Sequence, residues 1–461
     1  MSKRVLSVFS LTMINVIALA DVRSLPISAE YGWALIAYTL LGAIFFLIPC
    51  ALIVSELATT WPKTGGAYIW VREAFGKRWG FLLVWIQWFY NIVWYPTIMT
   101  VLAVTLFYLV SPSLIQNKIL LLSMMIGLFW LITLANCFGM KISSFVSAVG
   151  VILGVILPLC VLIGAAAFWF IKGNPIATSA IEQSFLPRPN GWRSLALLTG
   201  MVFSFVGIEM SSTHAQEVKN PGRDYPRACL YSVIILFFIL SLGGLAVALV
   251  VPRADLGLTD GVIQGFAIIF KELNLPWLTP IMGGCIIIGG FSGVAAWVLG
   301  TSKSMMIVGK DGSFPMMLAH SSSKGVPRNM LIIQAFAFTI LCFSYFLFDT
   351  LNSSYWLLSA MTSELALFFY ILLFVAAIRL RYKYPDIERP FRIPGGNAGI
   401  WIVGVVGLLA VVFTFSVGLL PPEQLPIKSV LKYELILLGG IFLIMLPGFW
   451  FFFRHKMQLE P

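Results

Sequence analysis

The stretch Ala18-Leu19-Ala20-Asp21-Val22-Arg23-Ser24-Leu25-Pro26-Ile27 is apolar at its ends and polar in its middle. It closes an apolar segment that begins at Val5 and is interrupted from Ala20 to Ser24. A second segment begins near Trp192 and breaks at Gly207-Ile208-Glu209, before the polar run Ser211-Ser212-Thr213-His214. A helix in lipid must satisfy its own backbone, so an interruption is tolerated only where it is buried in protein or lines a cavity. Two interruptions at corresponding places in two halves of a chain point to the substrate site of a secondary transporter.

The composition puts both segments in a membrane. Of 461 residues, 59% are hydrophobic and only 11% charged, with a mean hydropathy of +0.94. Soluble domains carry about 25% charged residues. Twelve stretches approach the ~20 apolar residues that cross a bilayer: 5–27, 33–57, 79–110, 118–138, 142–171, 192–213, 228–251, 277–307, 330–348, 353–378, 399–420 and 433–453. The expectation is an all-α polytopic membrane protein of 12 transmembrane helices, with one transmembrane transporter domain over 1–461. Five spans are an odd number, so 1–171 and 192–378 form halves of opposite topology. Spans 11 and 12, over 399–453, are appended.

The net charge of +11 is a topology signal rather than a nucleic-acid footprint. Most of the 30 Lys and Arg fall on the side that holds the N-terminus, in the segments Lys63 to Arg78, Lys219 to Arg227, Lys303 to Arg328 and Arg379 to Arg392. Positive charge accumulates on the cytoplasmic side, which puts both termini in the cytoplasm and the protein in the cytoplasmic (inner) membrane. Lys3-Arg4, an apolar run and Ala18-Leu19-Ala20 have the layout of a signal peptide. The resumption of the apolar pattern and the charge asymmetry fit an uncleaved first helix instead. The six cysteines are scattered singly in apolar stretches and read as free, buried residues. No phosphate loop, His-Glu-x-x-His or Gly-x-Ser-x-Gly motif is present, so the chain reads as no enzyme and requires no metal, nucleotide or other cofactor. Transport must then run on a gradient or on exchange.

Ionisable groups at membrane depth are expensive and usually face a cavity. Glu209, beside Gly207, either contacts a cationic group or a proton, or stabilises the start of the second half-helix. Asp21 and Arg23 either pair with each other or leave Arg23 to receive an anionic substrate group. Ala20 and Ser24 frame the first break, and the exposed N–H groups of the half-helix starting near Ser24 suit a carboxylate. Glu364, in mid-span, binds an amine, carries a proton or hydrogen-bonds a neighbouring helix. Trp297 and Tyr370 lie in spans 8 and 10 of the core, whereas Trp85, Trp88, Tyr90, Trp94 and Tyr95 read as packing. Glycines including Gly293 thin span 8 and permit close helix approach. His214 is either a structural residue or a pH sensor, and Glu209 and Glu364 are the other proton-coupling candidates. Glu56 reads as a helix-end carboxylate with a basic neighbour.

Three motifs carry a family resemblance. Glu217-Val218-Lys219-Asn220-Pro221-Gly222-Arg223-Asp224-Tyr225-Pro226-Arg227-Ala228 resembles the signature of the amino acid–polyamine–organocation superfamily. So do Ser55-Glu56-Leu57-Ala58 with Pro62-Lys63-Thr64-Gly65-Gly66-Ala67-Tyr68, and Pro390-Phe391-Arg392-Ile393-Pro394-Gly395-Gly396. Within it the chain is most similar to the bacterial glutamate/γ-aminobutyrate antiporter group, through Gly207-Ile208-Glu209, Thr213-His214 and Asn220 to Pro226. The resemblance implies a LeuT-like 5+5 inverted repeat with broken helices 1 and 6, alternating access, and exchange of an amino acid for a related amine or amino acid. It also implies substrate against the two breaks, with Glu209, Trp297 and Tyr370 at matching positions. The exchangers resembled carry an acidic residue where this chain has Gly293, and a tyrosine where it has Ala366. Their first break is Tyr-rich, and they have a long C-terminal segment where five residues follow Lys456 here.

The resulting expectation is an amino acid antiporter with the substrate carboxylate on half-helix N–H groups and the amine near unwound carbonyls and Glu209. Side-chain selection falls to Arg23, Gly293, Trp297, Glu364 and Tyr370, with room for a bulkier or less charged side chain than glutamate. A proton-coupled amino acid or amine symporter is the nearest alternative, and a transporter-like amino acid sensor a remote one. The partners expected are small-molecule amino acids and the lipid bilayer; a homo-oligomer is left open.

Overall fold

The computed structural model describes residues 6–63, 65–137, 150, 152–177, 184–310 and 326–454. Among them the regular structure is helical, and the one isolated β-bridge joins Leu6 to Val218.

The first apolar segment is a broken rod. Helix α1 (Val8–Leu19) starts on Ser7, whose hydroxyl accepts the Ser10 N–H at 3.2 Å. It stops where Ala20 and Asp21 turn extended, at φ/ψ of −66°/114° and −131°/116°. The Asp21 carboxylate then accepts the Arg23 N–H at 2.9 Å, the same service an N-cap performs. A short turn (Val22–Ser24) leads into α2 (Leu25–Ala29). Pro26 costs nothing there, because the N–H groups of a first helical turn have no partner within the helix.

The chain continues through α3 (Gly32–Thr60), α4 (Ala67–Phe75), α5 (Lys77–Val110), α6 (Lys118–Cys137) and α7 (Ile152–Ile171). Helix α8 (Leu198–Phe203) opens the second broken segment. Beyond it Gly207 adopts φ 124° and ψ −1°, and a 3-10 helix runs from Ile208 to Glu217. No L side chain sits easily at that φ, so the glycine lets the backbone turn between the two pieces. There follow α9 (Pro221–Val250), α10 (Gly261–Glu272), α11 (Leu278–Lys310), α12 (Arg328–Cys342), α13 (Leu351–Lys383), α14 (Gly396–Gly418) and α15 (Val430–Arg454).

Among the described residues, eleven helical stretches are long and apolar enough to cross a membrane. The protein is a polytopic, all-helical membrane protein. The first apolar segment is not among the eleven, because its break leaves pieces of 12 and five residues. The start of the 142–171 stretch lies outside the described residues. Helices α5 and α13 hold the centre, with 78% of each one's most apolar window buried, against 22% for α15. Exposed Leu435, Phe442 and Leu443 on α15 accordingly face outward, where lipid is the natural neighbour of apolar side chains.

Some segments read as basic loops are partly helical. Lys219 to Arg227 contains the first turns of α9, with Pro221 in its first turn and Asp224 on its N-terminal end. Lys303 lies inside α11, and α4 occupies most of the segment before Arg78. A charged helix end extending past the hydrocarbon explains each case.

One end of the bundle is tied by a buried ionic knot. Glu56 of α3 accepts from Arg381 Nε at 3.0 Å, from Arg381 Nη2, from Arg389 Nε at 3.2 Å and from the Ile393 N–H at 2.8 Å. This joins α3, α13 and the segment before α14. Separately, the Leu6 N–H donates to the Glu217 carbonyl at 2.9 Å and the Lys219 N–H to the Leu6 carbonyl at 3.2 Å. These bonds tether the chain ahead of α1 to the end of the second broken segment.

Candidate functional site

The two breaks meet. A Cβ placed on Gly207 would lie 3.8 Å from the Leu19 side chain, and one on Gly200 would lie 3.2 Å from Ile27. The end of α1 thus faces the turn at Gly207, and α2 faces α8. Helices that approach this closely need small residues at the contact, which Gly200 and Gly207 supply.

At the second break, Tyr370 of α13 organises the polar groups. Its hydroxyl accepts the Gly207 N–H at 2.9 Å and donates to Glu209 Oε2 at 2.6 Å. The phenol ring lies edge-on to Phe46 with ring centres 5.0 Å apart. Glu209 is 2% exposed, and its other oxygen, Oε1, is buried with no hydrogen-bond partner. The Tyr90 hydroxyl is also buried without a partner. Unfilled buried polar atoms are uncommon and call for a ligand or water.

At the first break, Arg23 is buried and spoken for. Its Nε donates to Asp21 Oδ2 at 2.9 Å and its Nη1 to Thr97 Oγ1 of α5 at 2.9 Å. The guanidinium lies 5.6 Å from the centre of the Phe203 ring and 6.0 Å from that of Trp94. Such stacking suits a weakly hydrated, planar cation. The Ser24 hydroxyl donates to the Asp21 carbonyl at 3.0 Å, and Ala20 and Ser24 are both buried. Of the two readings of Asp21 and Arg23, the pair forms in this structure.

Trp94 connects this corner to α11. Its ring meets Trp297 edge-on at 6.2 Å, while Arg23 covers it as described. One turn before Trp297, a Cβ built on Gly293 would meet nothing within 4 Å among the described residues. Among the described residues, the position is therefore open at Gly293, four residues before Trp297 on the same helix face. The sequence alone reads Trp94 as packing and marks neither Thr97 nor Phe203. The spacing of Trp94 and Thr97, one helical turn apart on α5, was the available signal.

Glu364 is not drawn into either cluster. Its carboxyl lies against Gly418 of α14 and the Thr199 hydroxyl of α8, fully buried, and neither oxygen has a partner. The His214 side chain lies outside what the structure describes. Among the described residues, no three His, Cys, Asp or Glu side chains gather as metal ligands.

A polytopic bundle with two facing broken helices and unfilled polar groups between them is the build of a membrane transporter. The chain belongs to the amino acid permease family, whose model matches residues 4–442. It is 44% identical to an uncharacterized transporter of Legionella pneumophila, over 99% of this chain and 98% of the relative. It is 28% identical to a glutamate/gamma-aminobutyrate antiporter of Lactococcus lactis, over 95% of this chain and 88% of that one. A probable agmatine/putrescine antiporter of the same species is 23% identical over 92% of each. The protein is thus a membrane-embedded transporter with a small-molecule substrate.

Proposed function

We propose that this protein is a secondary active amino acid antiporter working by alternating access. The observation that carries the reading is Glu209 Oε1, buried and unpartnered beside the Gly207 turn where the two breaks meet. A substrate ammonium would complete that oxygen, and the second oxygen is already oriented by Tyr370. The substrate carboxylate would take backbone N–H groups freed at the half-helix starts. Arg23, held over Trp94 and Phe203, and Trp297, beside the space at Gly293, would meet the substrate side chain. That space suits a side chain bulkier or less charged than glutamate. The names of two Lactococcus relatives, both antiporters, support exchange.

In this reading 1–171 and 192–378 are five-helix repeats of opposite topology, as in LeuT-like transporters, and 399–453 is appended. Both termini face the cytoplasmic side of the inner membrane, in keeping with the basic segments Lys63 to Arg78, Lys219 to Arg227, Lys303 to Arg328 and Arg379 to Arg392. The test is uptake of a panel of labelled amino acids into liposomes carrying the purified protein, with and without internal amino acid. Exchange predicts uptake only into loaded vesicles. Uptake into empty vesicles would overturn it in favour of symport, and binding without uptake would leave a sensor.

A further inference from the structure

Glu364 occupies a chamber of its own. Its carboxyl, carried by α13, lies beside Gly418 of α14 and the Thr199 hydroxyl of α8, and Tyr433 of α15 is within electrostatic reach. The Thr199 hydroxyl donates to the Thr414 carbonyl at 3.2 Å, and the Tyr433 hydroxyl accepts the Trp356 N–H at 3.1 Å. The Thr199 hydroxyl proton is thereby directed away from Glu364, and both carboxyl oxygens are without a hydrogen-bond partner. Among the described residues Tyr433 is a titratable side chain within its electrostatic reach, and no Lys, Arg or His pairs with it.

A carboxylate taken out of water with no counter-charge carries a heavy desolvation penalty. Something must neutralise it. Sodium or another hard cation needs about six oxygen ligands, and this chamber offers one carboxyl group and a few hydroxyl or carbonyl oxygens. A proton needs only one oxygen.

We propose that Glu364 is the proton-binding site of this transporter, separate from the substrate site at the two breaks. The inference rests on the transport reading above and adds its coupling ion. One carboxyl oxygen gains an O–H bond on loading and gives the proton back to water on release; nothing else is made or broken. The link to substrate runs through α8. Thr199 lies on that short helix, eight residues before Gly207. Any shift of α8 that closes the breaks also changes what the Glu364 carboxyl touches. A side chain at Gly418 would overlap both Glu364 and Thr199, so the missing side chain is what makes the chamber.

The test compares wild type, Glu364→Gln and Thr199→Val, each as purified full-length protein in liposomes. Two quantities are read: protons moved per labelled amino acid, from an internal pH dye, and the infrared C=O band of a protonated carboxylic acid. We expect the proton-to-substrate ratio to fall at least about fivefold in Glu364→Gln. The carboxylic-acid band should be lost in that variant and displaced in Thr199→Val. A wild-type ratio retained by Glu364→Gln, or transport that stops when sodium is replaced by an organic cation, overturns the proposal. If no variant moves substrate, the transport reading has failed, and the infrared band decides this proposal by itself. Its presence in wild type and absence from Glu364→Gln supports a proton on Glu364; identical spectra overturn it.

Discussion

The Tyr370 hydroxyl lies 2.6 Å from Glu209 Oε2 and 2.9 Å from the Gly207 backbone nitrogen. One phenol thereby holds both the turn of the second break and its carboxylate. The Tyr370→Phe protein keeps the ring packing on Phe46 and loses both bonds. A bond to a charged group contributes about 1.5–3 kcal/mol, so transport at fixed substrate should fall about tenfold or more. Initial-rate exchange in liposomes, compared with an unchanged elution profile, checks this.

Gly207 is the backbone counterpart. At φ 124° an alanine pays conformational strain of about 1–3 kcal/mol, although the nearest side-chain atoms, on Leu19, leave room for its methyl. The Gly207→Ala protein should melt several degrees lower and lose activity. A melting temperature equal to wild type would show that the turn is not required.

Gly293 makes the opposite prediction. A Cβ there meets nothing among the described residues, and alanine is favoured over glycine in a helix by about 0.5–1 kcal/mol. Gly293→Ala should be at least as stable as wild type. Gly293→Leu should fold and exclude the bulkier amino acids from the uptake panel. An unchanged panel would remove this space from substrate selection.

Glu56 sits between two arginines with almost no solvent. Removing one member of a buried ion cluster leaves the others uncompensated, at about 3–5 kcal/mol. Glu56→Gln should therefore lower the melting temperature more than Tyr370→Phe does. Thermal unfolding in one detergent, run side by side, ranks them.

Glu30 predicts a pH effect at the opposite end of the first broken segment. Burial pushes its carboxyl above the ordinary 4.5, opposed by Arg253, whose Nε lies 3.2 Å away. The folded protein therefore holds this proton more tightly than the unfolded chain does. The corresponding stability is fully present below about 4.5 and is lost as pH rises through the raised value. Glu30→Gln should flatten the melting temperature against pH just above 4.5. A profile parallel to wild type would count against it.

The broken helices were legible because their causes are local. Asp21 caps the restart of the first segment and Gly207 supplies a φ that other residues avoid, and both effects act within a few residues. The pairing of Asp21 with Arg23 was similarly within reach at two residues' separation.

Partnerships across the fold were not legible. Glu56 meets Arg381 across 325 residues, and Tyr370 meets Glu209 across 161. In sequence Trp94 is one more aromatic in a crowded helix; only the fold brings Arg23 of the first break and Trp297 of α11 to it. Hydropathy reports that a helix is buried in membrane or protein; it carries no record of which neighbour each face receives.

By itself, the sequence determined that this chain spans a membrane many times, where its two broken segments interrupt, and which family it resembles. Those properties follow from backbone hydrogen bonding in lipid and from the conformational limits of single residues. Only the tertiary structure decided that Tyr370 bridges the second break, that Arg23 is bound to Asp21 and Thr97, and that Glu364 lies apart against Thr199 and Gly418. The reason is physical: a carboxylate at membrane depth must find a partner, but which one it finds depends on helices that the chain brings together from hundreds of residues away.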